Sequence, residues 1–348
     1  MADVRPFQAL TFDPQVAGPL AQLVAPPYDV IDAEARAGYL ARSPHNIVNL
    51  TLPEDERDSG PLLASWRDEG VLRRDAEPAL WWLEQSFVGP DGVARTREGF
   101  LASIKVEPYE NKVVLPHERT HAGPKEGRLR LLTATRTQVE PIFLLYDDPE
   151  RCEQALREQA ASRETDLDAE ELGVRSRLWR VDDAAALDKV HSALADKQLL
   201  IADGHHRYET AVAFHQQDGT PASAYTFAAL VNTCGEGLAI FPTHRVFATA
   251  PELGALAGGE PRDDVEAAMA QYLIEGKVVE GLDQFRVRHG QGRDVAGEEC
   301  IVVATGIFVG GHCDFPFGQS FGRETRVPSN AQSVRLVCTY ATRRSTKK

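Results

Sequence analysis

The sequence lacks the features that mark secreted, membrane-spanning and disulfide-rich proteins. Its 348 residues contain five cysteines that lie far apart and form no C-x-x-C pair, so they indicate neither a disulfide framework nor a zinc ribbon. No run of 18 apolar residues occurs, and the start "MADVRPFQALTF" lacks the basic and apolar regions of a signal peptide. These absences predict a soluble cytoplasmic protein with reduced thiols and no membrane partner.

Positive charge is also scarce, because the formal net charge is −14 at pH 7. A protein that coats nucleic acid normally has a basic face, so this charge argues against a nucleic acid partner. Two common nucleotide-binding signatures, the P-loop and G-x-G-x-x-G, do not occur. The commonest nucleotide-binding scaffolds therefore have no support in this sequence.

The composition that remains is that of an ordinary globular protein. A hydrophobic content of 43 % in a chain of this length can build a sizeable core, shared by two or three lobes. Strand and helix patterns alternate in the middle of the chain, and hairpins flank it, which predicts an α+β (mixed α/β) fold. We expect an N-terminal α/β lobe with a hairpin over residues 1–112, a core over 113–250 and a C-terminal region over 251–348.

Local patterns predict individual helices and strands. Asp32 can cap a helix that runs through Leu40, and "NIVNLTL" (residues 46–52) has the pattern of a strand. The charged segment 149–171 reads as a solvated helical surface segment. "VEPIFLLYD", "SRLWRV" and "QLLIA" predict strands, and "AAALDKVHSAL" predicts a helix.

Two β-hairpins are predicted. The first consists of two alternating runs joined by Gly89-Pro90-Asp91-Gly92, with Trp81 and Trp82 packed in the core or at an edge. In the second, "AYTFAALVN" pairs with "LAIFPTHRVF" across Thr233 to Gly237. Both predictions rest on the short distance along the chain between the paired strands.

The densest cluster of chemically useful side chains lies in "LLIADGHHRYETAVAFH". An apolar strand ends at Asp203 and passes through Gly204 into a helix, and the first N–H groups of a helix favour anions. Glycine allows both a sharp turn and close approach of a ligand. We therefore predict a phosphate-binding turn with donors from His205, His206 and Arg207. In the alternative, Asp203 only caps the helix and the histidines are surface residues.

A second motif, H-E-x-x-H, runs from His117 to His121 and matches the zinc-protease pattern. Pro124 follows almost at once and leaves barely one helical turn to present both histidines. Pro124 and Gly127 also stand where the extended motif requires a glycine and a third histidine. A zinc hydrolase is therefore an alternative with poor sequence context.

Five pieces of the sequence carry a family resemblance. They are "APPYDVI", "PHERT", "EPIFLLYD", "IADGHHRYETA" and "FPTHRV", in this order, over roughly residues 25–247. Together they resemble a bacterial and archaeal family, domain of unknown function 1015. "ADGHHRYETA" is also similar to the phosphate-binding box of the ParB/sulfiredoxin-like superfamily, which includes nucleotide-binding partitioning proteins and free serine kinases. The resemblance implies a ParB/sulfiredoxin-like core with flanking β-hairpin lobes.

The resemblance to the serine kinases implies roles for the matching residues. Glu118 would be the base that takes the proton from a substrate hydroxyl. Asp203 would assist it or hold Mg²⁺, and the turn from Gly204 to Arg207 would bind the phosphates of ATP or ADP. Relatives usually continue into a C-terminal motif resembling "MPQKSTYFYPK", which does not occur here, so the C-terminal region is interpreted as divergent or truncated.

Further candidates come from the charge and turn patterns. Between residues 117 and 137 there are five Lys/Arg against two Glu, and this excess would neutralise polyphosphate, so Lys125 and Arg128 are predicted to contact phosphate. A solvated helix is the alternative interpretation. The candidates for the substrate pocket are Tyr28, Asp29, His244 and Arg245.

The leading hypothesis is a nucleotide-dependent phosphotransferase acting on a small hydroxyl compound, with free serine as the best guess from the resemblance. The second hypothesis is a non-catalytic nucleotide-binding regulatory protein, and the third is the zinc hydrolase. The expected cofactors are Mg²⁺ and a nucleotide. The expected partners are that nucleotide and a small-molecule substrate, and a homodimer is left open.

Overall fold

The computed structural model describes residues 2–89, 92–117, 122–246, 302–309 and 334–336. Two compact units share the chain: one contains residues 1–88 and 94–238, and the other contains residues 89–93 and 239–348. The first unit combines a large mixed sheet with several helices, which confirms the α+β (mixed α/β) class.

The strands, in chain order, are β1 (Val4–Arg5), β2 (Leu10–Phe12), β3 (Leu72–Arg74), β4 (Leu80–Val88), β5 (Ala94–Lys105), β6 (Val114–Leu115), β7 (Ile142–Tyr146), β8 (Leu167–Glu171), β9 (Val174–Val181), β10 (Leu199–Asp203), β11 (Tyr225–Asn232), β12 (Ile240–Val246), β13 (Val302–Val309) and β14 (Val334–Leu336). The helices are α1 (Pro14–Ala17), α2 (Ala33–Arg42), α3 (Val48–Thr51), α4 (Ser59–Asp68), α5 (Ala122–Thr135), α6 (Gln154–Ala161), α7 (Ala184–Leu194) and α8 (His205–Asp218).

The large sheet has nine strands in the order β6-β10-β7-β11-β5-β4-β9-β8, and β1 pairs with β5. The pairs β6–β10 and β7–β11 are parallel, and the other pairs are antiparallel. The interior strand β11 is buried along most of its length. A near-continuous apolar run such as "FAALV" suits a strand that is covered on both faces.

The first predicted hairpin is confirmed, with Trp82 opposite Phe100 in the β4–β5 ladder. Trp81 and Trp82 are 5 % and 2 % exposed, so both tryptophans pack in the interior. The hairpin is not a flanking lobe, however. Because β4 also pairs with β9, and β5 with β11, both strands lie inside the sheet.

The second predicted hairpin is wrong. The two edges of β11 pair with β5 and β7, which leaves no edge for β12. In the second unit, β12 is instead the middle strand of a three-stranded sheet between β13 and β14. Proximity along the chain predicted the wrong partner because distant strands take both sides of β11.

Two local predictions also need correction. Within the predicted strand 46–52, residues Val48–Thr51 form α3 instead, because the Asn46 side-chain oxygen accepts the Val48 N–H at 3.0 Å and turns the chain. The segment 149–171 contains α6 as expected, but its end forms β8. This charged strand is stabilised across the ladder, where Arg175 pairs with Asp168 at 2.6 Å.

The N-terminal part of the first unit has a core of its own under α1 to α4, which includes Leu23, Leu50 and Trp66. The Asp32 side chain accepts the Ala35 N–H at 2.8 Å, so the predicted cap of α2 is confirmed. Helix α5 packs against both α4 and α8. Tyr28 and Asp29 of the N-terminal part interact electrostatically with Arg207 in the first turn of α8.

Segments 1–112 and 113–250 both contribute strands to the nine-stranded sheet. In the parts of the chain described above, no helix is both long enough and apolar enough to cross a membrane.

Candidate functional site

The predicted strand–glycine–helix junction is present at the end of β10. The pairing of β10 with β7 shifts register between Ile201 and Asp203, an irregularity that changes the direction of the strand end. Gly204 has φ +93° and precedes the first residue of α8. The first N–H groups of a helix have no intrahelical carbonyl partner, and Gly204 has no side chain that could cap them.

Arg207 fixes this turn. Its side chain is 9 % exposed, its Nη2 donates to Asp203 Oδ2, and its Nη1 donates to the Pro141 carbonyl at the start of β7. Burial lowers the pKa of Arg207, but the nearby carboxylates, first Asp203 and then Glu140 and Asp29, outweigh it and raise the pKa overall. The guanidinium therefore stays charged and links the turn to the neighbouring strand.

His205 faces inward toward His117, the first residue of H-E-x-x-H. It is 2 % exposed, and its Nε2 accepts the His117 backbone N–H at 3.2 Å. The two rings meet edge to face with centroids 4.5 Å apart. His117 Nδ1 lies 2.6 Å from the Ile201 carbonyl, which can only accept, so Nδ1 carries the proton. Residue 117 is thus held against the turn.

Tyr28 lies in the same neighbourhood. The Tyr28 N–H donates to Glu140 Oε1 at 2.9 Å, and the Arg128 guanidinium carbon lies 4.1 Å from the centre of the Tyr28 ring. Arg128 Nη1 is also 3.8 Å from Glu140 Oε2. A buried carboxylate and a stacked arginine therefore hold the "PPYD" segment beside the turn.

Asp29 and Asp203 form the acidic side of the site. The surrounding protein desolvates the Asp29 carboxylate and raises its pKa, although the residue is exposed. Repulsion from Asp203 raises it further, while Arg207 and His206 act in the opposite direction. Two carboxylates that repel each other are stabilised by a shared proton or by a divalent cation.

Glu140 and Pro141 are site residues that the sequence reasoning missed. Burial raises the pKa of Glu140, and the charges of Arg207 and Arg128 and the N–H of Tyr28 oppose that rise. The available signal was an acidic residue directly before a proline and a buried strand, in "EPIFLLYD". Such an acid at the start of a buried strand needs partners, and here it receives them from three elements.

The remaining basic residues of the segment 117–137 with described side chains bind other acids. Arg130 pairs with Glu56 at 3.2 Å and Arg136 with Asp218 at 2.8 Å, and both arginine side chains are more than half exposed. Exposed pairs of this kind contribute about 0–1 kcal/mol. These two residues fit the interpretation of α5 as a solvated helix, whereas Arg128 faces the site.

Several predicted site residues cannot be placed in this geometry. Glu118 lies outside the described residues, as do the side chains of Lys125, His244 and Arg245. The backbone of His244 and Arg245 belongs to β12 in the second unit.

The described part of the chain contains one cluster that could hold a metal ion, formed by the buried Asp148, Cys152 and Glu153. Its members already have protein partners: Asp148 accepts the Cys152 N–H at 2.8 Å, and Glu153 accepts from Tyr146 at 3.1 Å. Burial and Asp148 raise the pKa of the Cys152 thiol to about 12, so a thiolate ligand is disfavoured. His117 is not a member of this cluster.

The family assignment follows from comparison with known proteins. No curated protein and no solved structure matches the chain. A family model with the description "Protein of unknown function (DUF1015)" matches residues 4–273, which is more than half of the chain and includes every site residue placed above. The chain therefore belongs to the DUF1015 family.

Proposed function

We propose that the protein is a nucleotide-dependent phosphotransferase that transfers phosphate to a small hydroxyl compound. The observation that carries the proposal is the contact between His117 and His205. His117 lies against the turn at the start of α8, and Glu118 is the next residue in the chain. A general base must lie within hydrogen-bond reach of the hydroxyl that it deprotonates. A phosphate held at the turn would bring that hydroxyl into this region.

The turn would bind the nucleotide phosphates. Gly204 allows close approach to the backbone, and the helix start attracts negative charge. Arg207 holds the turn in place and adds positive charge, and His206, His205 and Lys125 would complete the donor set. Phosphoryl transfer depends mainly on positioning and charge neutralisation, so a rigid turn is a suitable base for it.

Magnesium would bind at the acidic side of the site. The Asp203 side chain is half exposed, and Asp29 is close enough for the two carboxylates to repel each other. Mg²⁺ in such enzymes usually takes one or two carboxylates together with the substrate phosphates. Tyr28 would shape the remainder of the substrate pocket, and the surrounding unit would be a ParB/sulfiredoxin-like core.

The test is phosphate transfer from Mg·ATP to L-serine, followed by ³¹P NMR. Glu118→Gln should lower the rate by about 10²- to 10⁴-fold, since this is the usual contribution of a general base. Glu126→Gln is the matched control, because Glu126 is an exposed residue of α5. Equal rates in the two variants would eliminate Glu118 as the base.

A non-catalytic nucleotide-binding regulator is the second candidate. It is favoured by the internal bonds of Arg207, which already occupy the guanidinium without any ligand. This candidate predicts that Mg·ATP binds in calorimetry and that no phosphorylated product forms with any hydroxyl compound. Product formation would exclude it.

A further inference from the structure

A small cavity lies beside the turn, between α5, the loop before β7 and the second turn of α8. Its volume is about 30 Å³. Its lining contains the polar side chains of Arg128, Glu140, Arg207 and Thr210 and the apolar side chains of Leu131 and Leu132. The cavity shares Arg207 with the turn, so whatever occupies it lies next to the proposed phosphate site.

Among the residues that the structure describes, two buried polar atoms of this lining find no hydrogen-bond partner: Arg128 Nη1 and Thr210 Oγ1. Glu140 Oε2 is 3.8 Å from Arg128 Nη1, which is too far for a hydrogen bond. A buried donor without an acceptor costs about 1–3 kcal/mol, and more when it is charged. Both atoms are enclosed by protein, so an occupant with acceptor oxygens would be stabilised in this cavity once the Arg128 and Thr210 side chains rotate toward it.

The size and the donor geometry favour one kind of occupant. One water requires roughly 10–15 Å³ on the same measure, so the cavity has room for two or three atoms of that size. A planar carboxylate group has this size and matches the planar N–H donors of a guanidinium, whereas a tetrahedral phosphate with four oxygens is larger. Two guanidinium groups, those of Arg128 and Arg207, and one carboxyl group, that of Glu140, line the cavity, so positively charged side chains outnumber acidic ones in this lining.

We propose that this cavity binds the carboxylate group of a small hydroxy acid, which receives hydrogen bonds from Arg128 Nη1 and Thr210 Oγ1. The inference rests on the proposed function in one respect, since it identifies the bound acid as the phosphate acceptor. The hydroxyl group of that acceptor would then extend toward the turn, past Arg207. Free serine is one member of this class, and glycerate is another.

The experiment is calorimetric titration of the full chain without nucleotide. L-serine and D-glycerate are compared, at millimolar concentration, with serinol and glycerol, in which a hydroxymethyl group replaces the carboxylate. We expect only an acid to bind, and Thr210→Val to weaken that binding about tenfold, as the loss of one hydrogen bond of about 1.4 kcal/mol would. Thr226→Val, a change of equal size at a buried site in β11, should leave the affinity unchanged.

Three binding results would overturn the inference. They are binding of neither acid, equal binding of acid and alcohol, and unchanged affinity in Thr210→Val with an unaltered melting temperature. Equally fast phosphate transfer to serinol and to serine would also overturn it, while leaving the phosphotransferase intact. Conversely, acids that bind through Thr210 but never become phosphorylated would support the cavity assignment and refute the phosphotransferase.

Discussion

Substitution of Gly204 by alanine tests whether Arg207 determines the shape of the turn. Gly204 has φ +93°, a backbone conformation that costs an L-residue about 1–2 kcal/mol. The added Cβ would lie 3.1 Å from Arg207 Cζ and Nε. The guanidinium would have to move, but its bonds to Asp203 and to the Pro141 carbonyl hold it in place.

The matched control is Gly219→Ala at the other end of α8. Gly219 has φ +65°, and a Cβ there would meet nothing within 4 Å. Gly219→Ala introduces the backbone strain alone, and the lower conformational entropy of the unfolded alanine chain partly offsets it. We expect this control to lower the free energy of unfolding by about 1 kcal/mol. Gly204→Ala also displaces the charged, hydrogen-bonded guanidinium of Arg207. We expect this variant to lower the free energy of unfolding by about 2–4 kcal/mol in total.

The assay is urea denaturation of both variants, monitored by circular dichroism. We expect the free energy of unfolding to fall by at least about 1 kcal/mol more in Gly204→Ala than in Gly219→Ala. In an Arg207→Ala background this excess should disappear, because the two changes act on one contact and are not additive. Equal losses in the two glycine variants, or an excess that persists without the arginine, would refute the reasoning.

Three further predictions follow from the contacts described above. Burial raises the pKa of Glu140, so the folded state binds a proton at this carboxyl group more tightly than the unfolded state does. The contribution of Glu140 to stability therefore falls as pH rises above about 4. Relative to the native chain, Glu140→Gln should gain stability with rising pH in a urea series, and parallel pH profiles of the two proteins would contradict this. Trp82→Ala should cost about 3–5 kcal/mol, since Trp82 is 2 % exposed, and a loss under about 1 kcal/mol in urea titration would place this ring outside the core. Asp32→Ala should cost about 1 kcal/mol through loss of the α2 cap, while Asp183→Ala, which removes the same bond at the start of α7, should match it in thermal unfolding; a neutral Asp32→Ala would show that this cap contributes nothing.

The features that the sequence predicted correctly are local ones. The junction at Gly204 was recognisable because glycine stands between an apolar run and a helical pattern, and the β4–β5 hairpin because two alternating runs flank a glycine-rich turn. In both cases the decisive interactions join residues that are close in the chain. Local backbone preference and hydrophobic periodicity contain that information.

The failures concern interactions between distant segments. β11 pairs with β5 and β7, more than a hundred and about eighty residues away, so the nearby β12 was the wrong partner. Glu140 was overlooked for the same reason, because its partners Tyr28, Arg128 and Arg207 come from three separate elements. The acidic residue before Pro141 and a buried strand was a local signal, but it does not identify these distant partners.

In the proposed site the Asp203 carboxylate would interact with both Arg207 and Mg²⁺, and this determines how magnesium would bind. Its Oδ2 accepts from Arg207, which is charged and buried, so a cation at the same carboxylate would meet repulsion from the guanidinium. Asp29 and the phosphates of a nucleotide would have to supply the compensating negative charge. Magnesium should therefore bind together with the nucleotide and only weakly without it, because the ion pair between Arg207 and Asp203 also reduces the charge available to a free cation.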